Sequence, residues 1–119
     1  MREIKFRAWN KVEKVMYTDA INNCKDSFNM ILKHLQIYDV MQFTGLKDKN
    51  GAEIYEGDIV LSHNITYICK WNRYRCEFAW YSLSNDYIYP IGDARLHLEV
   101  IGNVWENPGL LEGGPPDAD

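Results

Sequence analysis

Residues 40–61 hold two turn signatures in quick succession, Asp48-Lys49-Asn50-Gly51 and Glu56-Gly57-Asp58, set between the apolar runs Val40-Met41-Gln42-Phe43-Thr44 and Ile59-Val60-Leu61. Asn-Gly supplies the positive φ values that a tight hairpin turn needs, so the first signature predicts a reversal at Asn50-Gly51. The second opens a series of short strands separated by polar turns, a spacing that predicts a barrel or a small sandwich. Eight Tyr, four Trp and four Phe point the same way, because large rings that pack across strands suit a small β-rich core. With 46% apolar and 25% charged residues among 119, the chain can build a packed core in one domain or two very small ones. A large enzyme with separate cofactor and substrate domains is excluded.

The two ends also read as strands. Ile4, Phe6 and Ala8 alternate with Glu3, Lys5 and Arg7, the period of a half-buried strand with its charges turned outward. After the polar stretch 10–14, Val15-Met16-Tyr17-Thr18 returns, predicting an opening β-hairpin. Near the other end, residues 98–105 predict a strand with Gly102 as a bulge or kink, stopped by Asn107-Pro108-Gly109. In between, Phe28, Ile31, Leu32 and Leu35 follow Asp26 at helical spacing and favour a short helix within residues 26–40. The same stretch divides equally well between the faces of a two-sided strand.

Residues 65–80 predict a hairpin with its turn at Asn72-Arg73, or a four-residue loop in the same register. Trp71 then faces Tyr74, Cys69 faces Cys76, Tyr67 faces Phe78 and Ile65 faces Trp80, which puts every large ring of the hairpin except Tyr81 on one core side. The opposite side pairs Lys70 with Arg75, Ile68 with Glu77 and Thr66 with Ala79, a mixed set suited to solvent or a partner.

Three stretches together resemble the YopX family of phage and prophage proteins: residues 2–9, REIKFRAW; residues 41–60, MQFTGLKDKNGAEIYEGDIV; and residues 100–108, VIGNVWENP. The resemblance implies a mainly β protein of a phage or prophage, with an N-terminal β-hairpin region over residues 1–40, at most one short helix, and an SH3-like small barrel over residues 41–111. It implies no catalytic residue, cofactor or substrate. Residues 112–119 carry acidic groups and nothing apolar that would anchor them, so a disordered acidic tail is expected there.

The residues themselves supply little catalytic chemistry. Cys24, Cys69 and Cys76 are an odd number without a C-x-x-C, which reads as reduced thiols; a cross-strand Cys69–Cys76 disulfide or a metal held with His34, His63 or His97 ranks behind packed thiols. Glu53, Glu56 and Asp58 could form an acid/base or hard-cation group, but Glu-Gly-Asp before an apolar strand is first of all turn chemistry. No enzyme activity, cofactor or metal is therefore expected. Lys70, Arg73 and Arg75 with Trp71 and Tyr74 are the binding candidates, since cations beside rings hold phosphates and stack bases. Thirteen basic against seventeen acidic residues, a net charge of -4, place nucleic acid second to protein as a partner.

Charge is unevenly spread. The first fourteen residues hold five basic and two acidic groups, while residues 96–119 hold five acidic groups and no Lys or Arg. These ends are complementary within one chain or between copies, and self-association into a homo-oligomer, beside a host or phage protein partner, is the expectation. The start lacks the apolar stretch of a signal peptide and no segment approaches a membrane span, so a cytoplasmic protein of the bacterial host, without membrane contact, is expected.

Overall fold

Gly51 and Gly57 take the left-handed backbone that the two turns require, at φ 85° and 87°. The computed structural model describes residues 4–18, 25–85, 87–90 and 97–112. Within them the chain is mainly β. In order come β1 (Phe6–Asn10), β2 (Val15–Tyr17), α1 (Lys25–Lys33), β3 (Tyr38–Lys47), β4 (Glu53–Tyr55), β5 (Asp58–Ser62), β6 (Ile65–Asn72), β7 (Glu77–Ser82), β8 (Ile88–Pro90) and β9 (Glu99–Asn103). A 3-10 turn at Pro108–Glu112 follows.

Two antiparallel sheets result, ordered β2-β1-β3-β4 and β8-β7-β6-β5-β9, the second curling into half a barrel. Strands β5 to β8 form a meander, and β9 returns to the far side of β5. The expected bulge is present: Ile59 pairs with Gly102 but Val60 with Val100, so residue 101 is skipped. Ile54, Val60, Tyr67, Cys69, Phe78 and Trp80 fill the concave side of the second sheet. Trp9, Met41, Phe43 and Tyr55 form the core of the first.

Residues 26–40 divide between both readings. α1 ends at Lys33, residues 34–37 turn, and β3 begins at Tyr38, where it pairs with β1. Among the described side chains of the helix, Ile31, 3% exposed, is the one that packs against Ala8, while Leu32 and, past the helix, Leu35 stay outside at 46% and 51%. The side chains of Asp26 and Phe28 lie outside what is described, as do Cys24 and residues 113–119 of the expected tail.

Three expectations need correction. The β6–β7 hairpin pairs Cys69 with Trp80, Trp71 with Phe78 and Tyr67 with Ser82, a register four residues further along than expected. Its loop is Arg73–Cys76. Asn72 closes it by accepting the N–H groups of Tyr74 (3.0 Å) and Arg75 (3.4 Å), and Cys76 takes φ 53°. Four is an even number, so the pleat keeps Tyr67, Cys69, Phe78 and Trp80 on one side as expected. Tyr74, however, is 85% exposed and Trp71 45%, and neither belongs to the core. Second, Cys76 is not a packed thiol opposite Cys69: Cys69 is buried in the core, while Cys76 sits exposed in the loop, both free.

The third correction is Arg7, which does not face solvent. It is 9% exposed, bonded through Nη2 to the buried carboxylate of Asp58 and laid over the Tyr55 ring at 4.6 Å. The pair ties β1 of the first sheet to β5 of the second. Lys5 pairs with Glu53 and Lys11 with Asp39 at 3.5 Å, so three cations of the basic start are matched by central carboxylates of the same chain.

Asp48 makes a second link between the sheets. Its Oδ1 accepts the N–H groups of Asn50 (2.8 Å) and Ala52 (2.9 Å), and its Oδ2 that of Val100 on β9 (2.8 Å). Burial works against ionisation here, but these three donors outweigh it and hold the carboxyl below its usual range. A depressed carboxyl stabilises the fold above its unfolded pKa, and that contribution is lost as pH falls through the lower folded value. Asp48→Asn, which turns one acceptor into a donor facing Val100, is expected to cost about 1–3 kcal/mol at pH 7. Urea titrations should show wild type losing its advantage over the variant as pH drops below about 4; an equal gap at pH 7 and pH 3 would refute the assignment.

Candidate functional site

The pleat that sends Tyr67, Cys69, Phe78 and Trp80 into the core sends their neighbours to the convex side. There Ile68 lies opposite Tyr81, Lys70 opposite Ala79 and Asn72 opposite Glu77. β8 extends the same face, with Ile88 opposite Tyr81 and Pro90 opposite Ala79. Ile68 and Ala79 are covered, at 7% and 1% exposure, whereas Ile88 is 49% exposed; Tyr87, opposite Ser82, turns its ring to Tyr89 on the core side. The result is a groove with an apolar floor and the Tyr81 ring along its side.

Three adjoining clefts cross this face. A cleft of about 420 Å³ lies among Ile68, Lys70, Tyr81, Leu83, Tyr87 and Ile88. Ile88 leads from it to one of about 230 Å³ beside Arg75, Glu77, Ala79 and Pro90. Ile68 and Lys70 lead to a third, of about 260 Å³, reaching Gly57, Glu56, Asp39 and Trp105 at the edge of the first sheet. There the Trp105 indole donates from Nε1 to Asp39 at 3.0 Å.

The structure places the candidate cations Lys70, Arg73 and Arg75 at one end of this face, each matched differently. Lys70 Nζ stands 5.6 Å from the Tyr81 ring centre. Arg73 lies over Tyr74 at 5.2 Å and donates to its hydroxyl at 3.3 Å. Arg75 is held by Glu77 at 3.1 Å, which offsets its charge toward an anion. Trp71 packs edge-on against Phe78 at 5.1 Å. The hairpin tip therefore offers rings and cations together, with Lys70 and Arg73 the more open charges.

Ile88 was not legible as a site residue, since a three-residue strand after a polar loop carries no periodic signal. Tyr81 was legible only as the one large ring that alternation leaves off the core side, not as a site residue. Elsewhere the carboxylates Glu53 and Asp58 are each taken by a cation of the opening segment, Lys5 and Arg7. Burial pushes the Cys69 thiol up, which makes it an inert packing group. His63 and His97 meet edge to face at 5.5 Å, and among the described residues no group of three or more His, Cys, Asp or Glu comes together to hold a metal. Among the same residues no helix is long and apolar enough to cross a membrane.

The family model described as YopX protein matches residues 5–112. The chain belongs to the YopX family. A crystal structure of protein EF1440 from Enterococcus faecalis is similar, with a TM-score of 0.63 and 28% identity over 93% of this chain and 99% of that one. The YopX fold thus extends over nearly the whole length of both proteins. No protein with a curated description matches.

Proposed function

We propose that this YopX chain is a phage- or prophage-borne, non-catalytic protein-interaction module that works in the cytoplasm of its host and self-associates through the convex face of β6, β7 and β8. The observation that carries the reading is the half-exposed Ile88 beside Tyr81 and Lys70 on this face, with the exposed Tyr74 and Arg73 at the hairpin tip beyond them. Tyr and Arg are over-represented where proteins meet, and rings with few rotatable bonds lose little entropy on binding. Complementary charge supports a second copy as the partner. The basic start is largely matched inside its own chain, which leaves the tip cations to face the acidic segment 96–119 of another molecule.

Light scattering over a concentration series tests this. A mass above the 14.0 kDa of one chain is expected at low salt, falling as salt screens the charges. Ile88→Ala should weaken association by about tenfold or more without lowering the unfolding midpoint. A single-chain mass at every concentration and salt would overturn the reading.

A second reading follows from Tyr74, whose exposed ring under Arg73 is suited to stacking a base. Saturable, salt-sensitive binding of a labelled single strand, lost in Arg73→Ala with Arg75→Ala, would assign the tip to nucleic acid instead.

A further inference from the structure

We propose that the acidic diproline segment of one copy, Glu112-Gly113-Gly114-Pro115-Pro116-Asp117-Ala118-Asp119, seats in the groove of Tyr81 and Ile88 on a second copy, its carboxylates meeting Lys70. The inference rests on the self-association reading and supplies its contact.

The groove has the chemistry that such a segment fits. Adjacent prolines favour the extended polyproline conformation before binding, so little freedom is lost on docking, and segments of this kind are held by grooves lined with aromatic rings. The cleft beside Tyr81 and Ile88 measures about 420 Å³, and Ile88 stands 49% exposed. Charge sets the direction. The segment holds three carboxylates and no cation, while the groove runs from apolar β8 toward Lys70 on β6.

Length agrees as well. From β8 to β6 the groove crosses two gaps between strands, about 10 Å in all. At about 3.1 Å per residue the stretch from Pro115 to Asp119 covers about 12 Å. Prolines against Ile88 and Tyr81 therefore bring Asp117 and Asp119 to the side of Lys70. The contact joins unlike surfaces, so its repetition builds rings or open chains.

The test uses full-length chains. Pro115→Ala with Pro116→Ala removes the diproline from the segment, and Ile88→Ala removes an exposed apolar wall of the groove. Each is expected to weaken self-association by about tenfold or more in light scattering. Mixing the two variants should restore association, because the first supplies an intact groove and the second an intact segment. Lys70→Glu should weaken association, and combining it with Asp117→Lys and Asp119→Lys should recover it. A diproline variant that associates like wild type would overturn the inference and leave self-association standing. One that associates more tightly would also overturn it, by placing the segment on its own groove. A wild type that stays a single chain would remove both.

Discussion

Replacing Arg7 by Ala is expected to cost about 3–5 kcal/mol at pH 7, because it leaves the carboxylate of Asp58 buried without its counter-charge. Asp58 is 1% exposed, and its Oδ2 accepts the N–H of Tyr55 at 2.8 Å. Total stabilities of small domains are about 5–15 kcal/mol, so a loss of this size leaves a marginal fold. The pH dependence carries the diagnosis. Burial already pushes the Asp58 carboxyl up, and Arg7 and the Tyr55 N–H draw it back without cancelling the shift. Without Arg7 the folded pKa rises further above the unfolded one, so the penalty is full at neutral pH and fades as falling pH protonates the group. Urea denaturation at pH 7 and near pH 4 should show the gap to wild type shrinking in acid. Arg7→Met with Asp58→Asn should recover part of the loss, since no unpaired charge then remains. A gap of the same size at both pH values would mean that Arg7 acts through packing alone.

Gly57→Ala is expected to cost about 2–4 kcal/mol, combining a left-handed backbone with a steric conflict. A Cβ built at Gly57 falls 2.1 Å from Cζ3 of Trp105, so the indole must move and its bond to Asp39 is placed at risk. Gly51 supplies the control. Its φ is nearly the same, but a Cβ there meets nothing within 4 Å, so Gly51→Ala should cost only the conformational part, about 1–2 kcal/mol. Comparing the two by urea denaturation, with tryptophan emission recorded for the folded states, separates strain from contact. Equal losses would show that Trp105 gives way freely.

What was legible in the sequence and what was not divide along a physical line. Turn chemistry is local, and Asn50-Gly51, Gly57 and the Gly102 bulge stand where their residues indicated. Parity is local too, so the core side of β6 and β7 was legible despite the wrong register. Loop length is not: Asn72 can begin a two-residue turn or close a longer loop, and only its bonds to Tyr74 and Arg75 decide. The resulting shift of four residues moved Tyr74 from the expected core to the exposed tip, and so changed the reading of the site more than that of the fold. Arg7 was misplaced for a related reason. Alternation assigns it to a face, but what lies against that face is Asp58 of the other sheet, and no local pattern announces a partner 51 residues away. Leu32 and Leu35 satisfied a helical period, yet α1 stops at Lys33 and docks through Ile31.

Amide chemical shifts followed through a dilution series test most directly whether the convex face of β6, β7 and β8 is where copies meet. Signals of Lys70, Ala79, Tyr81, Tyr87 and Ile88 should move together as the chains separate, while those of Trp9, Met16 and Tyr17 on the opening hairpin stay in place. Shifts that are absent, or that move only on β1 and β2, would contradict it.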